Sequence, residues 1–176
     1  VLSLVGSEMC IRDSISTQEL AGHVCQGLFD AGPERMVAAG RRGIPQVVAP
    51  GGTDYIVLGP LVSLNEEQRD RSLIVHNPNI TLIRTSKGEM AEIGRMMARR
   101  LNAARGPAAV LIPLEGFSFS DRAGHAFYDP EADAALVDTL EAELASRVQL
   151  LKLKAHVNDA AFARAVADKM RELMEG

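Results

Sequence analysis

Short apolar runs that end in polar turns constrain the fold of this chain more than any other feature of its sequence. The clearest runs are 46–49, 72–75, 108–112 and 148–154. Each run has the length of a buried strand, and stretches with helical spacing of apolar residues lie between them. Strands that alternate with helices favour parallel pairing and right-handed crossovers. The sequence therefore predicts an α/β domain with a mainly parallel sheet that is covered by helices on both faces.

Helix-start signals separate the predicted strands. Serine followed three residues later by glutamate, the pattern of a capping box, occurs at Ser16 and at Ser86. The first box predicts a helix to about residue 30, and Pro33 in first-turn position predicts another helix that ends near residue 42. Two further helices are predicted to begin at Asp129 and in the segment 156–159.

Three segments follow neither pattern clearly. Residues 55–58 are apolar but too few to be assigned to helix or strand, and residues 79–84 are expected to form a short link. Residues 117–129 have no period at all. Loops of this length within a compact domain are usually functional or disordered, so this segment is a candidate for either role.

Composition excludes several classes of protein. Hydrophobic residues make up 47% of the chain and charged residues 24%, which is ordinary for a folded, water-soluble protein. A formal net charge of −4 without a basic stripe argues against nucleic-acid binding. No apolar run approaches the roughly 20 residues of a membrane helix. Cys10 and Cys25 have no metal-ligand spacing and form no disulfide framework, so we expect no metal site and a cytoplasmic location.

The first 14 residues, VLSLVGSEMCIRDS, differ in character from the rest of the chain. Their apolar part is too short for a secretory signal peptide and lacks a basic leader. They resemble the translated sequencing adapter that is found at the ends of reading frames from metagenomic assemblies. We therefore expect residues 1–14 to be a non-native, unstructured leader, and residues 15–176 to be part of a longer natural protein.

A glycine pair after the first predicted strand is the clearest candidate for the edge of a site. Pro50 ends the strand, and Gly51 and Gly52 follow at once, with Asp54 two residues later. Adjacent glycines allow backbone conformations and close ligand approaches that other residues forbid. Ligands bind at the carboxyl ends of strands in open α/β sheets, where such a turn would lie. The alternative is a plain connection between two elements.

Polar residues follow all four predicted strands. They are Gly51, Gly52 and Asp54 after the first strand, His76 and Asn77 after the second, Glu115 and Gly116 after the third, and His156 and Asn158 after the fourth. Parallel strands would bring all of these residues to one edge of the sheet, where they could bind a ligand or perform acid-base chemistry. The catalytic candidates are His76, His156 and Glu115. In the alternative reading, His76 satisfies backbone groups, His156 belongs to a helix-start sequence and Asn158 caps a helix.

Four segments carry a resemblance to a known family. They are ELAGHVCQGLFDAGPERMVAAGRRGIPQVVAPGGTDYIVLGP, HNPNITLIRT, FYDPEADAALVDTL and HVNDAAFARAV. From residue 16 to the end, the chain resembles an uncharacterised bacterial and plant family. That family is named after the ATP-binding N-terminal region of the tomato mosaic virus resistance protein.

The resemblance implies a pair of Rossmann-like, three-layer α/β/α subdomains. This chain matches most of the second, C-terminal subdomain and is expected to be truncated at its N-terminus, so the missing N-terminal subdomain is an expected partner. The resemblance also implies ATP, with Mg, as a ligand. A sheet that lacks its upstream strands would have an exposed edge, which predicts a homo-oligomer.

Three functions remain open from the sequence. The first is binding of a small molecule, with ATP as one candidate, at the carboxyl ends of the strands. The second is an enzyme that acts on a small carbonyl or acid metabolite, with a histidine and a carboxylate as the acid-base pair. The third is an oligomerisation module without a site of its own.

Overall fold

The structure is a computed structural model that describes residues 13–175. Its seven strands are β1 (Asp13–Ser16), β2 (Gln46–Gly51), β3 (Tyr55–Leu58), β4 (Leu73–Asn77), β5 (Ile80–Arg84), β6 (Ala108–Pro113) and β7 (Val148–Leu153). Its six α-helices are α1 (Gln18–Cys25), α2 (Ala38–Arg42), α3 (Glu66–Arg69), α4 (Lys87–Asn102), α5 (Pro130–Glu143) and α6 (Ala160–Glu175). A single 3₁₀ turn, Leu61–Ser63, precedes α3 in the described part of the chain.

Four strands form the central parallel sheet, in the order β1-β2-β6-β7. Gln46 lies opposite Ala108, and Ala108 lies opposite Val148, so the first residues of β2, β6 and β7 are aligned across the sheet. Every pairing in this sheet is parallel. The predicted α/β fold with a Rossmann-like parallel sheet is therefore confirmed.

Helices cover both faces of this sheet because its two central strands, β2 and β6, are apolar on both sides. Val48 and Val110 lie in the cluster that α1, α4 and α5 bury on one face. Val47 and Leu111 lie in the cluster that α6 buries on the other. Successive residues of a strand point to opposite faces, so a strand between two helical layers has to be apolar throughout. All six residues of β2 and all six of β6 are buried accordingly.

A second, antiparallel sheet in the order β3-β5-β4 corrects two predictions. The run 72–75 was predicted as a strand of the parallel sheet, and 79–84 as a link. Instead β4 and β5 form a hairpin, in which Val75 pairs with Thr81 and Asn77 with Ile80. The two strands are joined by two residues, a connection that permits only antiparallel pairing. Within the turn, the Asn79 N–H donates to Asn77 Oδ1 at 2.9 Å.

The start of the described chain also differs from the prediction. Asp13 and Ser14, assigned to the leader, pair with Val47 and Val48, so the strand β1 crosses the predicted boundary at residue 14. The capping box at Ser16 is wrong, because Ser16 ends β1 and α1 begins after Thr17 without a side-chain cap. Residues 1–12 lie outside the described residues.

The starts of two other predicted helices are confirmed, and a third helix is shorter than predicted. Ser86 forms the predicted capping box with Glu89, and Asp129 caps α5 with Pro130 in the first turn. The helix predicted from Pro33 is reduced to α2, since residues 33–37 form turns. None of the described helices combines the length and the apolar character that a membrane span requires.

Candidate functional site

A cavity of about 680 Å³ lies beyond the carboxyl ends of β6 and β7. Its walls are the loop that follows β6, the exposed side of α5 and the turn that follows β7. Apolar side chains such as Leu114, Tyr128 and Val137 line it together with carboxylates and two basic residues. Its position is the one at which ligands bind in open α/β sheets.

The loop from β6 to α5 is folded tightly enough to form a wall. At Gly116 the backbone has φ +124°, and an added Cβ would lie 1.9 Å from the carbonyl oxygen of Asp121. The Asp121 carboxylate accepts the Phe117 N–H through Oδ2 at 2.8 Å. Phe127 is buried and stacks on Tyr55 of β3, with ring centroids 6.1 Å apart. These contacts hold an aperiodic segment in one conformation.

His156 lines the cavity, but both of its ring nitrogens are engaged by the backbone. Nε2 lies 2.8 Å from the carbonyl oxygen of Ser118, and Nδ1 accepts the Asn158 N–H at 3.1 Å. This pattern requires a proton on Nε2 and a lone pair on Nδ1. The ring therefore ties the turn after β7 to the loop after β6, and neither nitrogen is left to act on a ligand.

Glu115, Gly116 and Asn158 have different roles from one another. Glu115 is exposed and lines the cavity, as predicted for a residue at this edge. Gly116 also lines it and accepts the Val157 N–H through its carbonyl oxygen at 3.1 Å. Asn158 is exposed and contacts His156 through its backbone N–H.

The glycine pair is buried and forms the turn from β2 to β3. The Gly52 N–H donates to the Phe117 carbonyl oxygen at 2.8 Å, and the Gly51 carbonyl oxygen accepts the Thr17 N–H at 2.8 Å. Gly52 has φ +73°, which explains the glycine at that position. Because the Gly52 N–H is already satisfied, this turn is a poor match for a phosphate group.

His76 and Asn77 are not at the edge where the cavity lies. Both belong to β4 in the antiparallel sheet, where His76 is exposed and the Asn77 side chain closes the hairpin turn. The expectation that His76 joins His156 rested on a parallel strand at 72–75, and that premise is wrong.

Three carboxyl groups cluster around Arg84: Asp54 and Asp121 are buried, and Asp133 is half-buried. Of the three, only Asp54 was predicted from the sequence as a site residue. Asp54 is fully buried, and its Oδ2 accepts the Ser118 hydroxyl at 2.5 Å. Arg84, the last residue of β5, donates to the Asp54 carbonyl oxygen at 3.0 Å and to Asp133 Oδ1 at 2.6 Å. The side chain of Asp121 reaches the same place from the loop after β6 and lies within hydrogen-bonding reach of Asp133.

Burial holds these carboxyl groups in their neutral form at higher pH than usual. It raises the pKa of Asp54 to about 7, against the lowering effect of the Ser118 hydroxyl. It raises the pKa of Asp133 to about 8, against the lowering effect of Arg84. The pKa of Asp121 is also raised by burial. Three ionised carboxylates beside one guanidinium would leave an excess of negative charge in a poorly solvated place. Protonation of the carboxyl groups removes this excess.

The other charged groups of the cavity wall are largely paired with one another. The pairs are Lys152 with Glu141 at 2.6 Å and Arg122 with Asp159 at 3.5 Å. Glu115 and Asp138 are exposed acids at the cavity. The wall is therefore neutral to acidic, which disfavours a bare anion. Among residues 13–175, no group of three or more His, Cys, Asp or Glu side chains is arranged to hold a metal ion.

The missed residues had only weak signals in the sequence. Asp121 lies in the segment 117–129, whose length and lack of period marked it as a possible functional loop. Asp133 stands in the first turn of α5, where an acidic residue is explained by the helix dipole alone. Arg84 was placed in a link. Nothing in the spacing of these three residues predicts that they meet.

Residues 10–174 match the uncharacterised protein family (UPF0261) C-terminal domain. A UPF0261 protein of Clostridium tetani is 41% identical over 162 residues, which are 92% of this chain and 40% of that protein. A UPF0261 protein of Rhizobium meliloti is 37% identical over 161 residues, with 90% and 40% covered.

A plant protein is among the relatives. The ToMV resistance protein Tm-1(GCR237) of Solanum lycopersicum is 34% identical over 161 residues, which are 90% of this chain and 21% of that protein. The resemblance that the sequence predicted is thus confirmed for the family, while ATP binding stays a prediction. The chain spans about 40% of the length of the bacterial relatives.

Proposed function

This chain belongs to the UPF0261 C-terminal domain family, and we propose that it is a small-molecule-binding α/β domain whose site is the cavity beyond β6 and β7. One observation carries the proposal. The cavity of about 680 Å³ is large enough for a metabolite and lies where open parallel sheets bind ligands.

The composition of the wall supports this assignment. Tyr128 and Val137 offer apolar surface, while Asp121 and Asp133 offer a few fixed polar groups. Ligand sites typically combine mostly apolar walls with a small number of polar groups that set the orientation of the ligand. The tight loop at Gly116 supports a site that is formed before the ligand arrives.

ATP with Mg, the ligand that the family resemblance implies, is a second candidate. The acidic wall favours a nucleotide only as its magnesium complex, because free phosphate groups would meet Glu115 and Asp138. The Gly51–Gly52 turn offers no help, since the Gly52 N–H is satisfied by Phe117. The rest of the whole protein would then have to supply the phosphate contacts.

An enzyme that acts on a small carbonyl or acid metabolite is the alternative from a different class. The predicted histidine bases do not support it, since His156 is tied to the backbone and His76 lies in the other sheet. The buried carboxyl groups do support it, because perturbed acids beside a cavity are typical of acid-base sites.

Ligand-dependent thermal stabilisation tests the proposal. The chain is screened against neutral, anionic and cationic metabolites and against ATP with and without Mg. A ligand at a hundred times its Kd should stabilise the fold by about 2.7 kcal/mol. Ala134→Phe, which places a bulky ring on the cavity side of α5, should abolish this stabilisation.

Ala167→Phe is the matched control. Ala167 is an exposed alanine on α6 and does not line the cavity. The control should keep the stabilisation of the unmodified chain. If a ligand stabilises Ala134→Phe as well as it stabilises the control, or if no ligand class stabilises the chain, the cavity is not a binding site.

A further inference from the structure

We propose that Asp121 and Asp133 share one proton and that Asp133 accepts a hydrogen bond from a hydroxyl group of an uncharged ligand. The inference deepens the proposed function and rests on it, since both residues line the same cavity. It assigns a polar anchor to the cavity and a chemical class to its ligand.

One carboxylate oxygen of Asp121 is buried without a hydrogen-bond donor among the described residues. The residue is 1% exposed, and its Oδ2 accepts the Phe117 N–H. Its Oδ1 receives no hydrogen from any N–H or from any hydroxyl group in the described part of the chain. Buried acceptors without a donor are costly. The neighbouring group within reach is the Asp133 carboxyl, and it can donate to Asp121 when it carries a proton.

Asp133 is the member of the pair that a ligand would meet first. Its side chain is 18% exposed, whereas Asp121 lies behind it. Arg84 fixes Asp133 by donating to Oδ1 at 2.6 Å, and Arg84 is itself held by the carbonyl oxygens of Asp54 and Asp129. The pair is therefore rigid on both sides, as a recognition site requires.

Charge balance sets the number of protons on the pair. With one proton, the pair carries a single negative charge, which the guanidinium of Arg84 neutralises. The other titratable groups that face the pair are Asp54 from the turn after β2 and His156 from the turn after β7. Burial favours the protonated form of both Asp121 and Asp133, and two carboxyl groups in contact titrate as one unit.

The shared proton decides the ligand class. The proton of the pair is used in the hydrogen bond from Asp133 to Asp121, so the pair offers a ligand only the remaining lone pairs of Asp133. These lone pairs accept a hydrogen bond, and the pair therefore complements a hydroxyl group. Because Arg84 already neutralises the pair, the pair itself does not attract an ammonium group. Glu115 and Asp138 at the cavity would repel an anion. The expected ligand is a neutral polyol or sugar.

Infrared difference spectroscopy on the unliganded chain tests the shared proton at neutral pH. The carbonyl stretch of a protonated carboxyl is compared between the unmodified chain and Asp121→Asn, Asp133→Asn and Asp138→Asn. Subtracting the spectrum of each variant from that of the unmodified chain removes the signal of Asp54, which all four proteins share. A protonated-carboxyl band should be lost in both of the first two variants and kept in the third, which changes an exposed acid on the same helix.

Loss of the band in Asp133→Asn alone would place the proton on one residue and overturn the pair. Retention of the band in both variants would overturn it as well. Circular dichroism checks folding, and Asp133→Asn decides the question if Asp121→Asn does not fold.

Binding of simple probes tests the ligand class. Glycerol and D-ribose are compared with succinate and putrescine by chemical-shift changes in the protein. The neutral probes should bind best, and Asp133→Asn should weaken them by at least about tenfold. Tighter binding of succinate or putrescine through the same cavity would overturn the ligand class and leave the proposed function intact. Binding by no probe and no metabolite would refute the proposed function, while the infrared result would still decide the shared proton.

Discussion

The carboxyl groups of Asp54, which is buried, and Asp133, which is half-buried, make the stability of this domain depend on pH in an unusual direction. Burial raises the pKa of Asp54 to about 7 and that of Asp133 to about 8. In the unfolded chain both groups return to an ordinary value near 4. The folded state therefore holds more protons than the unfolded state between these limits. By linkage, the free energy of unfolding falls as the pH rises through this window.

We expect the domain to be more stable at about pH 5 than at about pH 8.5, the reverse of acid denaturation by paired carboxylates. Below the unfolded pKa both states are protonated, so the contribution is fully present, and it is lost once the pH passes the folded pKa. Urea unfolding at several pH values measures the slope. Asp54→Asn cannot ionise and should flatten the slope up to about pH 7. The control Asp138→Asn changes an exposed acid and should leave this slope unchanged. If it flattened the slope as much as Asp54→Asn does, the pH dependence would come from general surface charge.

The loop between β6 and α5 is the element on which the cavity depends, and Gly116 is its critical residue. Gly116→Ala combines a positive φ with a Cβ that would lie 1.9 Å from the Asp121 carbonyl oxygen. We expect a loss of about 2 kcal/mol or more in the free energy of unfolding, because backbone atoms cannot move aside cheaply. Since Asp121 would be displaced, ligand stabilisation should be lost as well. Denaturant unfolding and the ligand screen measure the two effects.

Gly88→Ala provides the contrast. Gly88 lies in the first turn of α4, and an added Cβ would meet nothing within 4 Å. Alanine is the better helix former, so this change should be neutral or stabilising by about 0.5–1 kcal/mol. A similar loss in both variants would mean that the loop geometry at Gly116 is not the cause.

At the element scale, the sequence predicted the parallel strands better than the antiparallel ones. The runs at β2 and β6 are apolar on both faces, and this pattern is typical of a strand buried between helices. The strands β4 and β5 are only partly buried, and their two-residue hairpin turn is Pro78-Asn79 rather than a glycine turn. Periodicity over so few residues could not distinguish a link from a strand at 79–84.

The candidate site was only partly predictable, because some of its residues are placed by tertiary contacts and not by the strand topology. Glu115, Gly116 and His156 follow parallel strands directly, so the topology brings them to one edge, as predicted. Asp121 and Asp133 reach the cavity through a loop fold and a helix orientation that depend on tertiary contacts such as the Tyr55–Phe127 stack. Such contacts join residues far apart in sequence, and a single sequence does not encode them in any local pattern.

At the scale of the whole molecule, the edges of the parallel sheet determine how the chain can assemble. The outer strands of the described sheet are β1 and β7. An outer strand exposes unpaired backbone groups to other chains. Homo-oligomerisation therefore stays a prediction, which light scattering over a wide concentration range would decide.

Deletions from the N-terminus test what β1 contributes to the whole molecule. Asp13, Ser14 and Ser16 pair with β2, and the Thr17 N–H donates to Gly51 at 2.8 Å, so β1 covers one edge of a fully buried strand. Deleting residues 1–12 spares this pairing, and we expect a change below about 1 kcal/mol in the free energy of unfolding. Deleting residues 1–16 uncovers β2 and should cost about 2 kcal/mol or more and promote aggregation. Urea unfolding and light scattering of both deletions give the answer. If both deletions kept the stability of the unmodified chain, β1 would add nothing to the sheet. If both lost the same amount relative to the unmodified chain, the contribution would belong to residues before Asp13.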